Sequence, residues 1–342
     1  MEAAAVTPES RRLPIRERVR ESRLARLAAR YPERSAILVL SLFVLYLVIR
    51  YGVHDVAQTG ANGLSLGSIY ALGAVGLTLV YGVLKLVNFA HGDFLTFGAF
   101  MAYLVSVTWS APIVPAVLFA VATTAALGVL FEKTMWGPMR ARKAGLLQLL
   151  LMSIGLAFVI RYSIQYGWGT QIRDLDVDPF GTIQFLGIRM GETNFIVLVV
   201  GVVVLVAIGL LLKFTLLGKR MRALADNFEL AETSGIDTSR IVLYTWLFAG
   251  GLAGLAGALA GAVINVKPTL GFELLLAIFA AVVLGGIGDA FGALVAGLVL
   301  GVVIEWSTLF IAFQWKLAVG FLVLILVLVV RPQGIFGRAK AI

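Results

Sequence analysis

The chain contains no cysteine, which excludes disulfides, thiolate metal sites and palmitoylation. It has two histidines, His54 and His91, too few and too far apart for a histidine-rich metal site. Charge is scarce: 14% of the 342 residues are Asp, Glu, Lys or Arg, against 60% hydrophobic. Soluble domains carry roughly 25% charged and 45–50% apolar residues, so this composition excludes an ordinary soluble domain and implies an integral membrane protein. The long apolar runs do not alternate with polar residues, which excludes a membrane barrel and leaves helices. No Gly-x-x-x-x-Gly-Lys-Ser/Thr stretch occurs, so the usual loop that cradles nucleotide phosphates is missing. The net charge of +9 would suit nucleic acid in a soluble protein. In a membrane protein it reports orientation and lipid headgroup contact, and no nucleic-acid partner is expected.

What the sequence does contain is apolar runs. Ten stand out, at 35–49, 60–82, 88–108, 112–131, 145–165, 193–214, 241–264, 272–287, 291–312 and 317–330. A spanning helix needs about 20 residues. The first and last runs are shorter, and Arg34, Arg50, Trp315 and Lys316 extend them by snorkelling and interfacial anchoring. With the amino terminus cytoplasmic and ten spans, 22 Lys and Arg fall inside and six outside, Arg161 among the six. That asymmetry is what the positive-inside rule predicts. Losing one span would invert every later loop, so eight spans is the alternative. The expected fold is an all-α, polytopic helix bundle in a plasma or inner membrane. It has an Arg-rich cytoplasmic tail over 1–34, a transmembrane domain over 35–330 and a cytoplasmic tail over 331–342. The connection 166–192, with Asp174, Asp176 and Asp178, is expected to face outward, where an extracytoplasmic partner would meet it.

Glycine pairs four residues apart, such as Gly63/Gly67, Gly250/Gly254 and Gly297/Gly301, predict close helix–helix contacts. Two glycine-containing interruptions go further. Leu84–Asp93 gathers Lys85, Asn88, His91 and Asp93, and Leu284–Asp289 contains Gly285, Gly286 and Gly288. Interrupted helices in corresponding halves point to a transporter's binding region, so Asn88, His91, Gly285 and Gly286 are candidate pathway residues and the two stretches hint at a repeat. Asp93 and Asp289, with Gly288, are expected to act as helix caps or hinges. Asn62, Ser65, Tyr70 and Thr78 are polar positions on one glycine-rich span and join the candidate pathway. Glu305 joins them as the only acid well inside an expected span. The remaining feature is Gly218–Asp237, a charged, helix-forming stretch between two apolar runs, which needs a partner in water.

Four stretches carry a resemblance: Asn62–Leu72, Val87-Asn88-Phe89-Ala90-His91-Gly92-Asp93, Ala223–Asp237 with the glycine-rich span after it, and Arg331-Pro332-Gln333-Gly334-Ile335-Phe336-Gly337. In order and spacing, from about residue 56 to the end, the chain is similar to the permease subunit of ATP-binding-cassette importers for branched-chain amino acids, of the LivH type. The resemblance implies a non-enzymatic permease paired with a second, related permease. Two cytoplasmic ATPase subunits would drive the pair and hold the ATP and magnesium, and an extracytoplasmic solute-binding protein would feed it. It also implies that the loop over 215–240 couples to the ATPase. Ala225, Leu230, Ala231 and Gly235 would be its small or apolar contacts and Asp226, Glu229 and Glu232 its charges, with Gly235 as a left-handed cap. Leu, Ile and Val are the expected substrates. Urea, amides and other amino acids are alternatives in the same family, and an ion-coupled secondary transporter is the alternative outside it.

Overall fold

The computed structural model describes residues 32–178, 180–185, 187–330 and 334. The tail over 1–31, and all but Gly334 of the tail over 331–342, lie outside the described residues. The chain divides into two compact units, 1–50 and 51–342. In the first, the described structure is α1, Pro32–Tyr51, which ends where Gly52 takes φ +89°, a value open to glycine and strained for other residues.

The second unit is built round α2, Val53–Leu84, about 48 Å long at 1.5 Å per residue. It is followed by α3, His91–Tyr103, which continues as a π-helical turn over Leu104–Thr108. Next comes α4, Ile113–Phe131, which runs through a second π-helical turn, Glu132–Trp136, into α5, Gly137–Ala141. Then come α6, Leu146–Trp168, and the strands β1, Thr182–Phe185, and β2, Ile188–Gly191. The remainder is α7, Glu192–Phe214; α8, Leu216–Asp226; α9, Phe228–Thr233; α10, Thr238–Val263; α11, Leu270–Gly285; α12, Ala290–Ser307; and α13, Lys316–Val330. Each of the ten apolar runs coincides over most of its length with a helix. Among the described residues, six helical stretches are long and apolar enough to cross a membrane: α2, Ile113–Ala141, α6, α7, α10 and α12.

Glycine sets the closest packing. α12 lies antiparallel along α2, where Gly63 faces Val302, Gly67 faces Leu298 and Gly297 faces Ala71. A Cβ at any of the three would come within 3 Å of the facing backbone. In the same way α4 lies along α10, with Gly250 and Gly254 against Thr124 and Ala120, and Gly128 against Trp246. Small residues let helices approach where apolar side chains gain little by leaving lipid.

α3 and α11 depart from the sequence reading, in which each begins at a membrane surface. After Leu84, Lys85 takes φ +54° and the chain runs back through Leu86–Ala90 without helix into the bundle. His91 therefore starts α3 beside Gly73 and Gly76, about 12–16 Å inside the Leu84 end of α2 at 1.5 Å per residue. After α10, residues 264–269 also return, tied at Val266 to Arg173 by N···O contacts of 2.7 and 2.9 Å. Leu270 then starts α11 within the bundle. The first turns of the two half-helices meet there. Gly271 N donates to Thr96 Oγ1 at 3.0 Å, and the Gly92 and Gly271 backbones touch, each where the other's Cβ would be.

α2–α3–α4 and α10–α11–α12 are thus built alike and run in opposite directions. Each has a long helix, a six-residue return, a half-helix that begins inside, and a helix laid along the other repeat's long helix. Inverted repeats with discontinuous helices are a transporter architecture. The repeat relates 85–92 to 264–271, not the Leu84–Asp93 and Leu284–Asp289 stretches that the sequence suggests. In Leu284–Asp289 the chain turns between α11 and α12, with Gly286 at φ +101° and Gly288 at φ +94°. Gly334, at φ +79°, closes over this turn, where a Cβ would lie 2.5 Å from Gly286 N and Val283 O.

Within the connection 166–192, β1 and β2 form an antiparallel hairpin. The hairpin sits on the Val53 end of α2. His54 Nε2 donates to the Gly187 carbonyl at 3.0 Å. Gln58 exchanges hydrogen bonds with the backbone of Arg189, accepting from its N–H at 2.8 Å and donating to its carbonyl.

Candidate functional site

The predicted pathway residues fall into three groups. Asn62, Tyr70 and Glu305 line one cavity of about 670 Å³ between α2, α7, α11, α12 and α13, towards the Val53 end of α2. Asn88 and His91 lie where α3 begins. The Asn88 side-chain oxygen accepts from Ala90 N at 3.1 Å, an Asx turn that sets the approach to the helix. His91 Nε2–H donates to the Gly73 carbonyl at 2.9 Å, fixing α3 to α2. Gly285 and Gly286 lie at the Leu84 end, where Gly285 touches the Gly292 backbone. Ser65 and Thr78 are buried, their hydroxyls without a partner among the described residues, and neither lines the cavity.

Of the expected caps, Asp289 accepts from Phe291 N at 3.0 Å and Gly292 N at 3.2 Å. Asp93, expected as a cap, does not cap α3. It is fully buried in the first turn of α3, and its carboxylate takes both arms of Arg161, Nε at 2.9 Å and Nη2 at 3.0 Å. A carboxylate so deep in an apolar bundle needs a counter-charge more than a helix end needs a cap. Arg161, which the charge count assigns to an outside segment, lies within α6 and also stacks on Phe272 of α11 at 4.6 Å. One guanidinium therefore holds the first turns of both half-helices.

Glu305 is not the only acid within the helices. Asp93 is one, and Glu132, in the π-helical turn after α4, is buried and paired with Arg140. Glu305 lies in the last turn of α12 and pairs with Lys316 of α13. Glu273, on the first turn of α11, pairs with Lys267 at 2.7 Å and accepts from Thr269 Oγ1 at 2.9 Å. Lys316, expected only as an interfacial anchor, also lines the cavity, as do Glu273, Asn194 and Asn265, which nothing in their own stretches singles out. Among the described residues no group of three His, Asp or Glu is placed to hold a metal ion.

The polar stretch between α7 and α10 forms two short helices at the Leu84 end. α8 is amphipathic, with Met221 and Leu224 buried and Gly218 pressed against the Leu211 and Leu212 carbonyls. Thr215 caps it through Gly218 N at 3.1 Å. Lys85, at the turn after α2, donates to the Gly82 carbonyl at 2.8 Å and to the Ala225 carbonyl at 3.0 Å. One ammonium thus joins the carboxy-terminal ends of α2 and α8, where cations are favoured. Lys85→Asn keeps a residue that tolerates the left-handed backbone and removes the ammonium. Amide exchange across 216–226 is expected to quicken roughly ten-fold, the effect of losing one charge-assisted hydrogen bond. Mass-spectrometric exchange on the full chain reads it.

Asn227 caps α9 through Leu230 N at 2.9 Å. At the other end Gly235, φ +82°, donates to Glu232 O at 3.0 Å while Ile236 N donates to Ala231 O at 3.1 Å. This is a Schellman ending, which needs a left-handed residue at that position. Asp226, Glu229, Leu230, Glu232 and Gly235 are exposed and Ala225 is half-buried. Ala231, expected as an outward contact, is instead buried against the chain. Phe228, which the sequence reading passes over, shares the exposed surface with Leu230.

Residues 59–328 match the family model described as "Branched-chain amino acid transport system / permease component". The chain is 30% identical over 299 residues to the high-affinity branched-chain amino acid transport system permease protein LivH of Salmonella typhimurium, which covers 82% of this chain and 94% of that protein. It is 30% identical over 303 residues to the corresponding protein BraD of Pseudomonas aeruginosa, covering 84% and 98%. It is 31% identical over 251 residues to the ribose import permease protein RbsC of Escherichia coli, covering 70% and 74%. No solved structure matches. The match spans the long apolar helices, whose exposed aliphatic faces on α4, α6 and α7 are lipid-facing surface in a multi-pass membrane protein. With the inverted repeat, the half-helices and the matched residues together, the chain belongs to the branched-chain amino acid transport system permease family.

Proposed function

We propose that this chain is the membrane permease of an ATP-driven importer, that it moves Leu, Ile and Val by alternating access, and that α8–α9 is where the ATPase pushes. The observation that carries the reading is the exposed, doubly capped α9 beside α8, which is fastened to α2 through Lys85 and to α7 through Gly218. A polar helix pair with an exposed Phe228 and Leu230, attached to the ends of two long apolar helices, suits the transmission of force into the bundle.

Charge supports the orientation. Between 53 and 330, ten Lys and Arg (85, 133–143, 213–222 and 240) lie at the Leu84 end, and four (Arg173, Arg189, Lys267 and Lys316) at the other. The Leu84 end is therefore cytoplasmic in this reading. The ten apolar helices are ten membrane-embedded segments, α3 and α11 beginning within the bilayer. A second related permease completes the pathway. Two ATPase subunits carry ATP and magnesium, and a solute-binding protein meets the Val53 end. The buried carboxylates Asp93 and Glu132 are each paired with an arginine, which disfavours an ion-coupled carrier that needs a carboxylate free to exchange its ion.

Gly235→Val combined with Glu232→Lys tests the coupling role. Valine in the left-handed region costs about 1–2 kcal/mol, enough to undo the end of α9 while leaving the apolar bundle intact. In cells that supply the partners, uptake of labelled leucine is expected to collapse at an unchanged amount of membrane-inserted chain. Uptake at the unaltered rate would mean that α8–α9 is only a connector.

A further inference from the structure

The cavity between α2, α11 and α12 joins apolar walls to a few charged groups. Leu66 on α2, Leu274 and Ala277 on α11 and Ile304 on α12 line it, together with the polar side chains of Asn62, Tyr70, Glu273, Glu305 and Lys316. The charges balance, because Glu305 pairs with Lys316 and Glu273 with Lys267.

We propose that this cavity is a binding site for a zwitterion with an aliphatic tail, the tail against Leu66, Leu274 and Ile304 and the head between Glu305 and Lys316. The ligand ammonium takes the Glu305 carboxylate, and the ligand carboxylate takes the Lys316 ammonium. One internal ion pair is exchanged for two, so the unloaded cavity needs no counter-ion and the loaded one gains none. A net-neutral rim disfavours a purely anionic or cationic ligand, and apolar walls disfavour urea or a sugar. The assignment rests on the reading of the chain as an amino-acid permease, and makes Glu305 and Lys316 its specificity-determining pair.

The test uses the full chain in lipid nanodiscs and saturation-transfer NMR with L-leucine, isoamylamine, 4-methylpentanoate, urea and ribose. On the unaltered chain, leucine is expected to bind about ten-fold or more tightly than either single-charge analogue, the worth of one charge-assisted hydrogen bond. Glu305→Gln and Lys316→Gln should each bring leucine down to the level of the analogues. Equal binding of leucine and both analogues, leucine binding untouched by either substitution, or no leucine binding overturns the site. The analogue series needs no substituted protein, so a variant that fails to fold does not shelter the proposal. Leucine uptake in cells by the unaltered chain is measured alongside. If uptake persists while the site fails, the permease reading stands, whereas ribose or urea bound and transported in place of leucine removes that reading too.

Discussion

Gly271→Ala is expected to leave almost no folded protein, although it adds a single methyl group. The new Cβ would lie 1.7 Å from the Gly92 carbonyl oxygen and 2.6 Å from its carbonyl carbon. Both are backbone atoms in the first turn of α3, so no side chain can rotate away, and the half-helices would have to part. Alanine gains about 1 kcal/mol in helix propensity, while overpacking a core typically costs about 1–3 kcal/mol even where side chains can yield. With rigid backbone on both sides the loss should exceed that range. Gly155→Ala on α6 is the control, since a Cβ there meets nothing within 4 Å. It should match or slightly raise the stability of the parent. Size-exclusion profiles and melting curves in detergent compare the two. A monodisperse Gly271→Ala protein melting like the parent would mean that the half-helices do not meet at Gly92 and Gly271.

Arg161→Leu should be the second large effect. It leaves Asp93, fully buried, with no counter-charge among apolar neighbours. Breaking a buried pair on one side costs about 3–5 kcal/mol, whereas removing both charges is often nearly neutral. The double variant Asp93→Leu with Arg161→Leu is therefore expected to melt much closer to the parent than Arg161→Leu alone. It should still transport less well, because the stacking of Arg161 on Phe272 at 4.6 Å is also lost. If the double variant is as unstable as the single one, the guanidinium matters through its contact with α11 and not through its charge.

Part of the candidate site is local and readable in the sequence. Gly235 ends a helix and Asp289 begins one, and both follow from bonds between residues two to five apart. Ala231 shows where local reading stops: a small residue on a polar helix gives no sign of which way it faces, and here it faces in. Glu305 stands out as an acid in an apolar run, but nothing near it points to Lys316, and nothing near Asp93 points to Arg161, 68 residues away.

The sequence by itself determined that this is a polytopic helical membrane protein, roughly where its apolar helices lie, that the polar stretch before α10 is set apart from them, and which family it belongs to. Hydropathy and composition decide those matters over spans of about 20 residues, and family motifs are carried in short stretches. Only the tertiary structure decided that 85–90 and 264–269 turn back into the bundle, that α3 and α11 meet at two glycines, and which charges share a cavity. An extended six-residue segment leaving a helix has the same sequence whether it runs along the surface or back inside. What selects the inward course is the glycine-lined space beside α2 and α10 and the counter-charge on α6, and both come from residues remote in the chain.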